Sequence, residues 1–476
     1  MSIRLEPLIR GWRGHLLLSL YCALIFLPGL SSVPPLDRDE SRYVQASRQM
    51  LESGDFVRIR FQDAPRHKKP VAVHWLQSLS VSLLQAEPYD DITAYRLVSA
   101  LSAWGAVLLS LALGRRLLGV AESGLERSAS VSAPAHIDSP PPGPDTLAFI
   151  ASALLAGSFA LLSEAHQAKT DALLCLWVVM MQLGLARIAF TTGRSGFPWL
   201  FWLGLGLGTL TKGPVAPAIA VLTIGTLMIG QRSAALLGKL CPLRGLLLAA
   251  AVVAPWSVAI YLATDGQFFS QAASEDFLPK LVSGHESHGA PPGYYVLTAL
   301  LMFWPGSMLA IPALAWAVQA LRARRADRPT PSMPASTMNE QMRLRQAILF
   351  ALSWLAPTWL LLELVPTKLP HYTLPLYPAL ALLTAIGVGL AQQRVRAGAT
   401  LPAGRTGRML LWTHTLLWSV PSLALAALVL LLPRLLELQG WPGAVLLAML
   451  VTAATVTASL AIVRRRLVAA LLIGII

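Results

Sequence analysis

Apolar residues come in long uncharged runs separated by short polar breaks, the pattern of helices stacked across a membrane. Runs of about 18 residues or more can cross roughly 30 Å of hydrocarbon as helices, because only a helix or a closed barrel satisfies its own backbone there. Stretches 16–33, 97–114, 146–163, 195–211, 213–230, 245–264, 287–321, 346–362, 372–393, 409–433 and 438–463 qualify or nearly do. Stretch 172–190 joins them if Arg187 reaches back to the interface. The pattern predicts an all-α integral membrane protein, a single helical bundle of about 12 or 13 spans.

Other segments do not fit a span. Segment 34–70 is charged, and within it 40–50 is helix-compatible and amphipathic, predicting a helix along the membrane surface that stops at Ser53-Gly54-Asp55. Stretch 71–86 is apolar but short and carries His74, Trp75 and Gln77, so it reads as a second interfacial helix of one external loop, 34–93. Segment 119–145 is rich in Ser, Pro and Gly and reads as a cytoplasmic linker. Segment 265–293 reads as another external loop. The tail 467–476 is too short to span, which predicts a partial final helix or a truncated C-terminus. No A-x-A-like site follows the first apolar run, so it is not expected to be a cleaved signal. Gly204-x-Gly206-x-Gly208 sits inside an apolar helix with no preceding strand, which favours close helix packing over a phosphate loop.

Composition supports the membrane reading: 55% of residues are apolar and only 13% charged, against roughly 25% charged in soluble domains. The net charge of +14 would suit a nucleic-acid partner only if it formed a basic face on a soluble domain. Its placement decides otherwise. With the N-terminus inside, alternate connections collect 24 basic and seven acidic residues on one side, the positive-inside asymmetry. This predicts a cytoplasmic N-terminus, segment 34–70 outside, and no nucleic acid. Cys22, Cys175 and Cys241 lie in or beside spans and suggest neither a disulfide framework nor a metal cluster.

Four outside turns each present charge at similar depth: Asp39, Arg42 and Lys69; Lys169 and Asp171; Lys212; and Lys368 with Tyr372. Charge at a membrane boundary pairs with other charge or with a charged ligand. Lysines and arginines at headgroup level suit a lipid phosphate, and an aspartate among them suits a base. Arg58, Arg60 and Arg66 read as solvated or headgroup-facing. His285, Glu286 and His288 have ligand chemistry, although a two-histidine loop is more often hydrogen-bonded structure; a divalent metal is left open.

Several motifs carry a family resemblance: DESRY at 39–43, QMLESGDF at 49–56, KKP at 68–70, TKGP at 211–214 and TKLPHYTLPLYPALALL from 367. In this order they resemble the polyprenyl-phosphate-dependent GT-C glycosyltransferases, of the aminoarabinose-transferase and protein-mannosyltransferase kinds. The resemblance implies an enzyme of the plasma membrane moving a sugar from a polyprenyl-phosphate donor to a lipid A-like, glycan or protein acceptor on the extracytoplasmic face, with inversion. It implies Asp39 as catalytic carboxylate with Glu40 beside it, Asp171 as the second acid, and Arg42, Lys69, Lys212, Lys368 and Tyr372 as donor-phosphate ligands. Relatives often carry glutamate where this chain has Lys68, which puts the metal that glutamate helps to hold in doubt. A lipid-linked sugar flippase is the alternative; it predicts charge at the bilayer midplane and internal repeats, and no repeat is visible.

Overall fold

The structure, a computed structural model, describes residues 6–35, 37–86, 91–119, 142–191, 196–282, 289–326, 335–397, 404–435, 441–464 and 466–475. An apolar helix, α1 (Trp12–Phe26), leads into two amphipathic ones, α2 (Arg38–Ser53) and α3 (Ala72–Leu84), with a two-stranded hairpin of Arg60–Phe61 and Ala64–Pro65 between them. Next come α4 (Ile92–Leu118), the bent pair α5 (Pro144–Ala156) and α6 (Phe159–Ala165), α7 (Asp171–Ala189), α8 (Trp199–Lys212), α9 (Val215–Gln231) and α10 (Pro242–Ala263). Short helical pieces, Gln267–Gln271, a π-helical Ala272–Phe277 and Leu278–Val282, follow α10. The remainder holds α11 (Ser307–Ala326), α12 (Ala335–Leu364), α13 (Tyr377–Arg396, entered through the 3-10 turn Pro370–Leu376), α14 (Gly404–Leu435), α15 (Trp441–Val463) and α16 (Leu467–Ile475).

Among the described residues, six helices are long and apolar enough to cross a membrane, and the bent α5–α6 pair makes a seventh. Four shorter apolar helices, including α1 and α9, accompany them. The expected 12 or 13 spans counted apolar runs, and some runs are not one helix. Run 287–321, for instance, divides into Tyr294–Met302 and α11 around the Phe303–Gly306 turn.

The interfacial segment forms as its pattern predicts. Asp37 caps α2 by accepting the Asp39 amide at 2.8 Å, and Gly54 ends it in the left-handed region at φ +67°, where a Cβ would be strained. Buried Glu40, Tyr43, Ser47 and Met50 recur every three or four residues and form one inward stripe. Ser47 Oγ donates to Gln77 Oε1 at 2.6 Å and lies 2.8 Å from His74 Nδ1, joining α2 to α3.

Within the bundle, Pro370–Arg396 is buried along its whole apolar window, whereas Pro242–Ala263 is buried over only 17% of its own. The first is a central pillar and the second faces outward. Gly204 belongs to the packing, since a Cβ there would sit 2.7 Å from the Met181 amide nitrogen. Helix α4, with 27 residues, is about 40 Å long and separates two polar ends. At one, Arg115 pairs with Asp145 at 2.7 Å, Arg116 donates to the Arg187 carbonyl and Lys239 to that of Thr191. The other holds the site.

Candidate active site

Adjacent acids on the first turn of α2 point in different directions. Glu40 is fully buried, and both its oxygens are taken by the Arg96 guanidinium from α4, at 2.7 and 3.0 Å. Arg96 also donates to the carbonyls of Leu30 and Val33, and Glu40 accepts the Ala168 amide at 2.9 Å. Every strong polar atom of this pair has a partner, so it ties α1, α2, α4 and the turn before α7 together. Asp39, one residue earlier, keeps 48% of its side chain exposed and makes only a 3.3 Å contact with Arg42. Glu40, expected to share the chemistry, instead lies fully buried in a bidentate ion pair, closed off from solvent.

The turn 166–170 supplies the next layer. Lys169, almost buried, bridges Asp37 at 2.8 Å and Glu164 at 3.0 Å. Burial opposes its charge, but Glu164, Asp171 and Asp37 together raise its affinity for the proton. Burial likewise works against charge on Asp37, and the Lys169 contact still holds that carboxyl below the usual range. His371 stands between two acids, 3.7 Å from Glu164 and 4.0 Å from Asp171.

Below this layer opens a cavity of about 470 Å³. Most of its wall is hydrocarbon, from residues such as Leu174, Val253, Trp256, Phe268, Phe277 and Leu361. Its polar residues include Lys68, Lys69, Asp171, Lys212, Asp276, Lys280 and Tyr372. Lys212 Nζ lies 2.5 Å from Asp171 Oδ1 and 5.0 Å above the centre of the Tyr372 ring. Lys69 and Lys280 each reach one oxygen of Asp276 at 2.6 Å. Burial, opposed by Asp276, draws the Lys69 ammonium down to about 8, and the two lysines keep Asp276 ionised below the usual range despite its burial.

Of the expected site residues, Lys69, Asp171, Lys212 and Tyr372 share this cavity, while Asp39 and Arg42 stand outside its lining. Tyr43 lies between, hydrogen-bonded to Thr170 and within the electrostatic reach of both Asp39 and Asp171. Lys368 does not line the cavity. Its ammonium donates to the carbonyls of Glu363 and Val365, closing the end of α12 whose last carbonyls lack helical partners. Asp276 and Lys280 were missed, although their i, i+4 spacing in SEDFLPK was visible. His285, Glu286 and His288 lie outside the described residues. Among the described ones no group of three or more His, Cys, Asp or Glu could hold a metal. Asp171 and Asp276 do not fit as ligands as they stand, since each already holds lysine ammonium groups.

No family model matches the sequence. The transferase ArnT from Cupriavidus metallidurans, solved with undecaprenyl phosphate bound, superposes with a TM-score of 0.66 at 18% identity, over 97% of this chain and 74% of that one. The chain has the GT-C glycosyltransferase fold. Curated proteins of similar sequence are named as transferases. The undecaprenyl phosphate-alpha-4-amino-4-deoxy-L-arabinose arabinosyl transferase of Aeromonas hydrophila is 25% identical over 373 residues, 77% of this chain and 58% of its own length. That of Pseudomonas aeruginosa is 28% identical over 456 residues, 92% of this chain and 71% of its own length. This GT-C chain thus spans a little over half the length of the first relative it matches. It is a multi-span helical membrane protein.

Proposed function

We propose that the protein is a membrane glycosyltransferase that takes a sugar from a polyprenyl-phosphate donor and joins it to a lipid A-like, glycan or protein hydroxyl on the extracytoplasmic face of the plasma membrane, with its N-terminus cytoplasmic. The observation that carries this reading is the cavity. An apolar chamber with Lys69, Lys212 and Lys280 among its few polar groups suits a greasy chain ending in a phosphate. The names of the relatives and the bound lipid of the solved neighbour support the same chemistry. Charge gathered at one end of the bundle, away from Arg115 and Arg187, favours a transferase over a transporter with a midplane site.

In this reading the donor lies with its phosphate among the lysines and its sugar toward Asp171. The acceptor oxygen attacks the anomeric carbon opposite the phosphate, which inverts that centre. The carbon–oxygen bond to phosphate breaks and its electron pair leaves on the phosphate, whose charge the ammonium groups stabilise. Asp39, open to solvent and unencumbered by a strong ion pair, takes the acceptor proton. Asp171 holds Lys212 in place beside Tyr372. Mass spectrometry of envelope lipids and glycoproteins from cells with and without this chain tests the reading. A single sugar mass should be missing without it; identical spectra would sink the proposal.

A further inference from the structure

One anion in the cavity wall, Asp276, is shared by two lysines. The carboxylate lies on the only π-helical turn among the described residues, Ala272–Phe277, where i to i+5 bonding widens the helix. It is 5% exposed, and its two oxygens are divided between Lys69, 207 residues away, and Lys280, one helical turn on. Lys69 Nζ reaches Oδ2 and Lys280 Nζ reaches Oδ1, both at 2.6 Å. Lysine ammonium groups on two oxygens of one central anion would hold a phosphate in the same way. Lys212 is near enough to influence Lys69 electrically. An internal anion therefore sits where the walls of the cavity would deliver the phosphate of a lipid.

We propose that Asp276 occupies a phosphate subsite formed by Lys69 and Lys280, that the phosphate of the lipid donor displaces it, and that Lys280 is a phosphate-binding residue. The inference rests on the donor reading above and adds to it one ligand and one competitor. Its physical content is a sign. Binding that must first expel a carboxylate has an apparent Kd equal to the intrinsic one divided by the fraction of molecules in which the carboxylate is unseated. Removing that charge therefore strengthens binding, the opposite of what loss of an organising residue does.

The test measures binding of a polyprenyl monophosphate to the full-length protein in detergent, for the wild type, Asp276→Asn, Lys280→Gln and the double variant. Asp276→Asn should bind about 3- to 10-fold more tightly. Lys280→Gln, at a side chain that is 23% exposed, should bind about tenfold more weakly. In the Asp276→Asn background Lys280 has lost its carboxylate, so a further weakening on Lys280→Gln reads its contact with phosphate directly. An Asp276→Asn protein that binds no better than wild type overturns the displacement. Should that variant fail to fold, unchanged or tighter binding by Lys280→Gln overturns the subsite on its own. Inorganic phosphate should compete poorly, because it leaves the apolar chamber empty; competition equal to that of the lipid would overturn the lipid assignment. A wild-type protein that binds no polyprenyl phosphate would remove the donor reading itself, whereas wild-type binding unaffected by these substitutions removes only this inference.

Discussion

Two carboxylate–cation assemblies lie at the same end of the bundle and have opposite characters. Glu40 and Arg96 are dry, matched one to one and hydrogen-bonded to the backbone on several sides. In the cavity, Asp171 and Asp276 face Lys69, Lys212 and Lys280, so cations outnumber anions, and the wall beyond them is hydrocarbon. A balanced, closed assembly fixes geometry; an unbalanced, open one retains capacity for an anion. The difference separates scaffold from site more sharply than residue type does, since both use carboxylates and cations.

Substitutions can break this contrast, and the largest effect is expected outside both assemblies. Asp39→Asn should lower transfer by about 10²- to 10⁴-fold, as for loss of a general base, with the melting temperature nearly unchanged. Retained activity would mean that the proton goes elsewhere. On the scaffold side, Arg96→Met or Glu40→Ala leaves an uncompensated buried charge and should cost about 3–5 kcal/mol of stability, read by thermal unfolding in detergent. A mild loss would show that water reaches the pair. On the site side, Lys212→Gln should raise the KM for donor by roughly tenfold, and, because it leaves the buried Asp171 carboxylate without its lysine, it should lower stability as well.

Acidity sharpens the comparison further. Lys69 loses its proton near 8 in the folded protein, against about 10.4 in the unfolded chain. Donor binding needs the ammonium and should weaken as pH rises through 8. Stability should respond in the other direction. Between 8 and 10.4 the unfolded chain holds the extra proton, so this group makes unfolding harder as pH increases. Binding and unfolding measured side by side over that range would detect the divergence, and parallel changes would contradict it. The smallest effect is expected at the partly exposed Arg48–Glu52 pair, 3.3 Å apart and one helical turn apart, where Glu52→Ala should shift stability by about 0.5 kcal/mol or less.

Much of this was legible in the residues. Uncharged runs predicted the helices, since a long apolar segment has few other ways to satisfy its backbone. The 3–4 spacing along 40–50 predicted the inward stripe of α2, and Gly54 its end. Lys69, Asp171, Lys212 and Tyr372 were marked by breaks between apolar runs, and they do meet at one cavity. The burial of Glu40 was not legible because its neighbour is so similar: the two acids differ by one helical position, about 100° around the axis, and the partners that hold Glu40 inside, Arg96 and the Ala168 amide, lie 56 and 128 residues away. The contacts of Lys368 were not legible because the carbonyls it caps are backbone, which composition does not show.

Local chemistry along the chain therefore determined which segments are helices, that they belong in a membrane, and which polar groups stand at the breaks. Tertiary structure alone decided which of those groups face a common cavity. Lys69 and Asp276 are 207 residues apart, and no short-range period links them. Their contact depends on how α8, α10 and the π-helical segment pack, a property of many apolar contacts together and of no single motif.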